Sequence, residues 1–311
     1  PFDRSKDKIM TSKVKKNDEE NNVNFWVNEA WSNFVENLKL FFSKKLNIFS
    51  SSLVIFLIFI AIFAPILSPY PFDQVNPSNA LAPPSLEHFM GTDTTGRDIF
   101  SRVLHGTTTS LSLALTTIVF GLLTGVSLGA ISGYFVGIID EIIMRIIDVF
   151  MSIPGVILAL AMVAILGPNP IYLVLALSIR RIIQFARVTR GVVLSIKELD
   201  YISACHAIGM SHLRIIFIHV LPNCIGPIIV LSTVLIGNVI LMESTLSFLG
   251  MGIQEPTPSW GTMIAKGNEF LTFAPWVSIA PGLFLFTTMI AFNLLGDGVR
   301  DYLDPKDKVA T

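Results

Sequence analysis

The chain has 311 residues, of which 52% are hydrophobic and only 14% charged, a balance too apolar for an ordinary soluble domain. Its formal net charge is −1, and no basic groove with interleaved aromatic residues is visible, which argues against nucleic acid as a partner. Charge-free runs at residues 46–72, 106–139, 149–179, 220–242 and 270–296 each exceed the ~20 residues that a helix needs to cross the hydrocarbon core, so an all-α membrane protein is expected.

Residues 1–23 are charged and nearly free of apolar side chains, which predicts a disordered tail. This polar stretch is too long for a cleavable secretion signal. Over residues 24–46 the pattern changes. Val27, Ala30, Trp31, Phe34, Val35, Leu38, Phe41 and Phe42 form an apolar stripe. It predicts an amphipathic helix, lying at the lipid interface or packed on its own bundle. Residues 47–105 then hold a first span, at about 51–67, and an external segment.

The second run covers 34 residues, more than one span needs, so its start at 107–112 is expected to be interfacial or packed on protein. Gly121, Gly125, Gly129 and Gly133 recur every four residues, a small-residue face for close helix approach. Tyr134, Asp140, Glu141, Arg145 and Asp148 fall in a short polar turn, and Pro154 should kink the third span. Gly167-Pro168-Asn169-Pro170 is a strong turn signal. It divides the third run into two spans and brings the expected total to six helices. Arg180 and Arg181 stand close to the end of the fourth span, at 171–185, where they either snorkel or face an internal cavity.

Between the fourth and fifth spans, residues 199–222 are patterned like folded structure. Asp200 suits a helix N-cap, and Ile202, Cys205, Ala207 and Ile208 give a short apolar face. Gly209 fits the left-handed position that ends a helix. Ser211 can cap a second short helix with Leu213, Ile216, Phe217 and Val220 as its stripe, and Pro222 closes that helix or opens the next span. His206, His212 and His219 are spaced by six and seven, unlike the pairs three or four apart that hold zinc on helices, and read as surface or interface side chains.

The fifth span starts near Asn223 and carries Asn238. Glu243 comes about 30 Å further along a helix, near the membrane surface, which suits a structural or gating contact rather than a proton relay. The last span, from Pro281 to Pro305, carries Asn293 and Asp297. With Asn238 and Glu243 these are the candidate pore or gate residues. Nineteen of the 22 Lys and Arg residues flank one side of these spans; Arg97, Arg102 and Lys266 lie on the other. By the positive-inside rule both termini and the 199–222 loop are cytoplasmic. The two cysteines, Cys205 and Cys224, then lie at the cytoplasmic side or in the membrane, where no disulfide is expected.

The 199–222 stretch resembles the EAA loop of the inner-membrane permease subunits of ABC importers, which builds a coupling helix that docks into an ATPase subunit. Ala204, Gly209, Leu221 and Pro222 sit where that pattern wants them. Ser203 replaces its Glu and Cys205 its second Ala, and Asp200, Tyr201 and Ala207 complete the helix. The external stretch HFMGTDTTGRDIFSRVLHG resembles the signature of the C-type permease subunit of dipeptide, oligopeptide and nickel importers, with His88, Gly91, Thr92, Asp93, Gly96, Arg97 and Asp98 in register. Taken alone, Asp93 and Asp98 read as a solvated turn rather than as metal ligands. GYFVGIIDEIIMRIIDVFMSIPG, ARVTRGVVLSIKELDY, ESTLSFLGMGIQEPTPSWG and PGLFLFTTMIAFNLLGDGVRDYLDP are similar to further segments of the family.

The resemblance implies a type I permease fold, with the permease domain at 106–305 and a short tail at 306–311. It implies a B-type permease as the other half of the channel, two ATPase subunits that bind ATP and Mg, an external substrate-binding protein, and a place in a bacterial or archaeal cytoplasmic membrane. This chain has no G-x-x-x-x-G-K-[ST] phosphate loop and no catalytic or metal signature. No catalytic, cofactor or metal residue is expected in it. The cargo expected is a di- or oligopeptide. The alternatives are nickel uptake through the same architecture and an ion-gradient-driven secondary transporter, which would show mid-membrane carboxylates and internal repeats.

Overall fold

A computed structural model describes residues 39–303. The expected tail at 1–23, most of the amphipathic stripe at 24–46 and the 306–311 tail lie outside the described residues. The chain divides into two units between Ile48 and Phe49, and the second unit holds the helical bundle. Among the described residues the regular structure is all helix, apart from one isolated bridge between Thr92 and Asp98.

Helix α1, Lys45–Leu67, carries Pro65 in its last turn. After a 3-10 turn at Pro77–Asn79, α2 runs unbroken from Ile99 to Tyr134. The 107–112 stretch is part of it, with Thr107, Ser110 and Leu111 buried. Asp98 sets its start by accepting the Ser101 N–H at 2.8 Å. The four glycines of α2 lie against α5, Pro170–Lys197. A Cβ added at Gly121 would come within 2.6 Å of Arg181 Cβ, and one at Gly125 within 2.6 Å of the Ile182 carbonyl oxygen. The two backbones approach too closely for any other residue.

The third span differs from expectation. Instead of one kinked helix there are two, α3 (Ile138–Ser152) and α4 (Gly155–Leu166), bent by 90° at Pro154. Pro154 supplies no N–H, and Ile153 before it is held extended. The acidic and basic side chains of α3 also keep it from following α4 into hydrocarbon. At twelve residues, about 18 Å, α4 alone cannot cross a bilayer. The turn after it forms as expected: Gly167 has φ +95°, Asn169 caps α5 by accepting from the Ile171 N–H at 2.9 Å, and Pro170 opens the helix. Helix α5 then runs to Lys197 rather than stopping near 185.

Two short helices come next: α6, Asp200–Ala207, and α7, His212–Ile215. A π-turn at Ile216–Val220 joins α7 to α8, Leu221–Phe248. Helix α9 (Trp260–Asn268) is closed by a capping box between Ser259 and Thr262, and α10 spans Trp276–Leu303. Leu57, Leu111, Ala114, Phe185, Ile240, Trp260 and Phe292 belong to one central apolar cluster.

Four described helices are long and apolar enough to cross a membrane: α1, α2, the fused His212–Phe248 and α10. Counting the bent α3–α4 pair makes five. The expected sixth, α5, is long enough, but Arg180, Arg181 and Arg187 crowd its middle.

Candidate functional site

At one end of the bundle stands the loop that follows α5. The cap of α6 is Leu199, with φ −78° and ψ 142° and no side-chain bond, not Asp200, which sits one residue inside the first turn. The third helical position is therefore Ile202, fully buried, and no capping box through Ser203 can form. Ile202 and Cys205 pack with Val193, Ile196 and Tyr134. Asp200, Tyr201, Ser203, Ala204 and Ala207 are all exposed. Ala207 and Ile208, on the apolar face, are exposed as well; Ile208 is 76% so.

Gly209 has φ +78°. Around it the Met210 N–H donates to the Cys205 carbonyl at 3.1 Å, and the Gly209 N–H donates to the His206 carbonyl at 3.0 Å. This pair of bonds is the Schellman closure, which needs a left-handed residue between them. The second short helix is not free-standing, because the π-turn carries it into α8. There the Leu221 N–H reaches back five residues to the Ile216 carbonyl, and the bulge falls just ahead of Pro222, which has no N–H and would crowd an α-helical carbonyl. The extra residue rotates the apolar stripe. Ile215, Ile216 and Val220 are buried, while Leu213 and Phe217 of the same stripe are each 66% exposed. Ser211 stands at the N-cap position of α7 without a side-chain bond.

Tyr134 at the end of α2 ties this loop to the bundle. Its hydroxyl lies 2.9 Å from His212 Nδ1 and 3.4 Å from His206 Nε2, and Lys197 Nζ donates to its carbonyl at 2.9 Å. Sequence reasoning does not find this contact, since nothing in the pattern joins Tyr134 to histidines more than seventy residues away.

At the opposite end the Gly91–Asp98 segment folds back on the start of α2. Gly91 and Gly96 have φ +74° and +77°. Thr92 Oγ1 accepts from the Ala82 N–H at 2.8 Å and donates to the Asn79 carbonyl. Asp93 Oδ1 accepts from the Thr95 and Arg97 N–H groups, and its Oδ2 from Arg97 Nε at 2.7 Å. Asp98 faces His88 Nδ1 at 2.9 Å. The two carboxylates are therefore not a solvated turn; they are buried in a charged network. Arg97 Nη2 donates to Glu255 Oε1 at 2.8 Å, Lys266 Nζ sits 2.5 Å from Glu255 Oε2, and Arg102 lies 3.4 Å from Glu255. Burial alone would push the Glu255 carboxyl up, but the hydrogen bonds from Arg97 and Lys266 outweigh it and hold it below the usual carboxylate range. Burial would likewise lower Arg97, and the bonds to Glu255 and Asp93 raise it instead.

The polar residues expected along a pore lie on two helices, Asn238 and Glu243 on α8 and Asn293 and Asp297 on α10. Glu243 is fully buried near the end of α8, where Ser247 Oγ donates to it at 2.6 Å and Ser244 Oγ at 3.4 Å. Asn238 is exposed and donates to the Val234 carbonyl. Asn293 and Asp297 are exposed on α10, and Asp297 with Arg300, Val188 and Pro227 lines a cavity of about 570 Å³. Among the described residues no cluster of three or more His, Cys, Asp or Glu side chains could hold a metal ion.

Residues 125–308 match the family described as binding-protein-dependent transport system inner membrane component. The chain belongs to that family. Residues 25–84 match a second model, the N-terminal TM domain of oligopeptide transport permease C. The chain is 42% identical to the dipeptide transport system permease protein DppC of Alkalihalophilus pseudofirmus, over 89% of this chain and 90% of that one. It is 38% identical to the di/tripeptide permease DppC of Pseudomonas aeruginosa, over 83% and 87%. It is 46% identical to the glutathione permease GsiD of Shigella flexneri, over 82% and 84%. Among solved structures, the MetNI methionine ABC transporter in inward-facing conformations superposes with a TM-score of 0.54 at 17% identity, covering 66% of this chain and 98% of that one. That likeness shows the fold. The chain is thus a transport permease of the inner membrane, built on several apolar helices, and not the catalytic subunit of its system.

Proposed function

We propose that this chain forms half of the translocation channel of an ATP-driven importer of di- and oligopeptides. The observation that carries the reading is the 42% identity with a dipeptide permease over nearly the whole of both chains. The second family match, to the N-terminal part of an oligopeptide permease, points the same way. None of the three relatives is a nickel or ion-gradient transporter by name.

In this reading a B-type permease supplies the other half of the channel, and an external binding protein delivers the peptide. Two ATPase subunits bind ATP and Mg, since this chain has no phosphate loop. Helix α6 is the coupling helix: its anchored side, Ile202 and Cys205, fixes it to α5, and its free side offers Tyr201, Ser203, Ala204 and Ala207 to an ATPase groove. Closure of the ATPase pair on ATP would push α6 and turn the channel from inward- to outward-facing. Both termini and the α6 end lie in the cytoplasm, as the uneven spread of Lys and Arg favours. Glu243, sealed by serines, serves as a structural contact, while Asn238, Asn293 and Asp297 remain available to the pore.

The test is reconstitution of the complete complex into lipid vesicles, followed by uptake of a labelled dipeptide. Uptake should require both ATP and the binding protein. Uptake driven by an ion gradient without ATP, or uptake of nickel in place of peptide, would overturn the reading.

A further inference from the structure

Helix α5 carries four arginines, and they fall into two pairs. Arg187 and Arg190 each meet a carboxylate of α3: Arg187 pairs with Asp148, and Arg190 grips Asp140 with both nitrogens at 2.6 Å. Arg180 and Arg181 do not. Among the described residues no carboxylate oxygen lies within 4.0 Å of either. Arg181 is only 4% exposed; its Nη1 donates to Gln184 Oε1 at 2.8 Å, and its Nε has no partner.

Their depth makes this unusual. Arg180 is ten residues past Pro170, which opens α5 at the turn from α4, so it lies about 15 Å along the helix. That is half of a hydrocarbon core of about 30 Å. Helix α4 begins at the same level, twelve residues back from the same turn, and it begins beside Arg180. A Cβ added at Gly155 would lie 3.6 Å from Arg180 Cδ and 3.9 Å from its Cγ. The first N–H groups of α4 lack intrahelical acceptors and carry the positive end of the helix dipole, and no N-cap side chain bonds to them. The Arg180 side chain thus meets a helix N-terminus at mid-depth, with the buried Arg181 next to it in the chain. A cation there is costly unless it has an anionic counterpart.

We propose that Arg180, supported by the buried charge of Arg181 and the N-terminus of α4, takes the C-terminal carboxylate of the transported peptide half-way across the membrane. The proposal rests on the peptide-importer reading. Arg180 is half-buried, so it can meet a passing ligand; Arg181 cannot, and acts through its charge. A guanidinium matches a carboxylate with two parallel bonds. The C-terminal carboxylate is also the one anion that every unmodified linear peptide carries, which suits a channel that must accept varied side chains.

The experiment is uptake by the reconstituted complex of one labelled dipeptide as its free acid and as its C-terminal amide, each at concentrations that saturate the binding protein. Wild type, Arg180→Gln, Arg180→Lys and Arg181→Gln are compared. The binding protein's own preference is common to all four and divides out of the acid-to-amide ratio. Arg180→Gln should lower that ratio by about tenfold or more, the size of a lost charged hydrogen bond, with amide uptake changed little. Arg180→Lys should recover part of it, and Arg181→Gln should lower it less. Equal loss of acid and amide uptake in Arg180→Gln would mean that the charge is met by another subunit and would overturn the proposal. So would an unchanged ratio accompanied by altered dependence on phosphatidylglycerol over phosphatidylcholine in the vesicles, which would assign the site to a lipid phosphate. Wild-type vesicles that import neither form would instead sink the peptide-importer reading itself.

Discussion

Arg97 reaches across 158 residues of sequence to donate Nη2–H to Glu255 Oε1 at 2.8 Å. That bond fastens the loop after α8 to the segment that starts α2. Around it three cations, Arg97, Arg102 and Lys266, share two carboxylates, Asp93 and Glu255.

Glu255→Gln should therefore destabilise the protein in detergent by about 1–2 kcal/mol. The figure is below that for a fully buried pair because the Glu255 side chain is 28% exposed. The carboxyl is held below its ordinary value of 4.5, so its contribution is fully present above that value and disappears as the pH falls through the depressed one. Thermal unfolding followed from about pH 7 down to about pH 3 should show the gap between wild type and Glu255→Gln closing at the acid end. A gap that widens on acidification would contradict the assignment.

Gly209 should tolerate substitution in the order Asn, Ala, Val. Its φ is +78°, and an added Cβ meets nothing within 4 Å, so the cost is conformational and not steric. It amounts to roughly 1–2 kcal/mol for an ordinary residue, less for Asn and more for a β-branched one. The readout is transport and substrate-stimulated ATPase in the assembled complex, which should fall together while the chain remains in the membrane. Asn clearly worse than Ala would point to packing instead of the turn.

The Asp140–Arg190 pair pins α3 to α5 with two bonds of 2.6 Å. A lysine cannot reproduce that two-pronged grip, so Arg190→Lys should lose much of what Arg190→Ala loses. A double-mutant cycle of Asp140→Asn with Arg190→Lys, read by thermal unfolding, should give a coupling of about 1–2 kcal/mol. Coupling within error of zero would mean that the Asp140–Arg190 pair adds nothing to the hold of α5 on α3.

Orientation is open to direct test. Single cysteines at Thr257 and Ser203, both exposed, should differ in labelling by a membrane-impermeant maleimide, provided Cys205 and Cys224 are first replaced by Ser or Ala. Thr257→Cys should react in intact cells, and Ser203→Cys only after permeabilisation. Reaction at Ser203→Cys from outside would invert the topology.

Much of this architecture is legible as composition and punctuation. The apolar runs, the Gly-Pro-Asn-Pro turn and the left-handed Gly209 are local signals, and each has one physical reading. The four-residue glycine spacing of α2 announces a close helix contact, although not that α5 is its partner. What fails to show is whatever depends on a neighbour. Asp93 and Asp98 read as solvated because Arg97 and Arg102, which close on Asp93, and His88, which closes on Asp98, are brought onto them only by the fold. The stripe through Leu213 and Phe217 fits α-helical pitch, and one π-turn before Pro222 moves both into the open. Pro154 reads as a bend in a span, but the charges of α3 turn it into a right angle. The cap of α6 falls at Leu199, one residue ahead of the Asp200 that the pattern favours, because an extended Leu199 can close the first turn without a capping side chain.

The loop helix α6 is attached differently at its two ends. Upstream, two residues separate it from α5, a single unbroken helix laid backbone to backbone along α2. Downstream, it continues through Gly209 into a helix whose hydrogen-bond ladder slips by one residue at Ile216–Val220. A rod without a break can only tilt or translate as a whole, whereas a helix with a slipped ladder can bend locally at small cost. Force applied to α6 would therefore act on α5 as on a lever arm that carries Arg180 and Arg181, while the α7–α8 junction gives way as the elbow that lets it move.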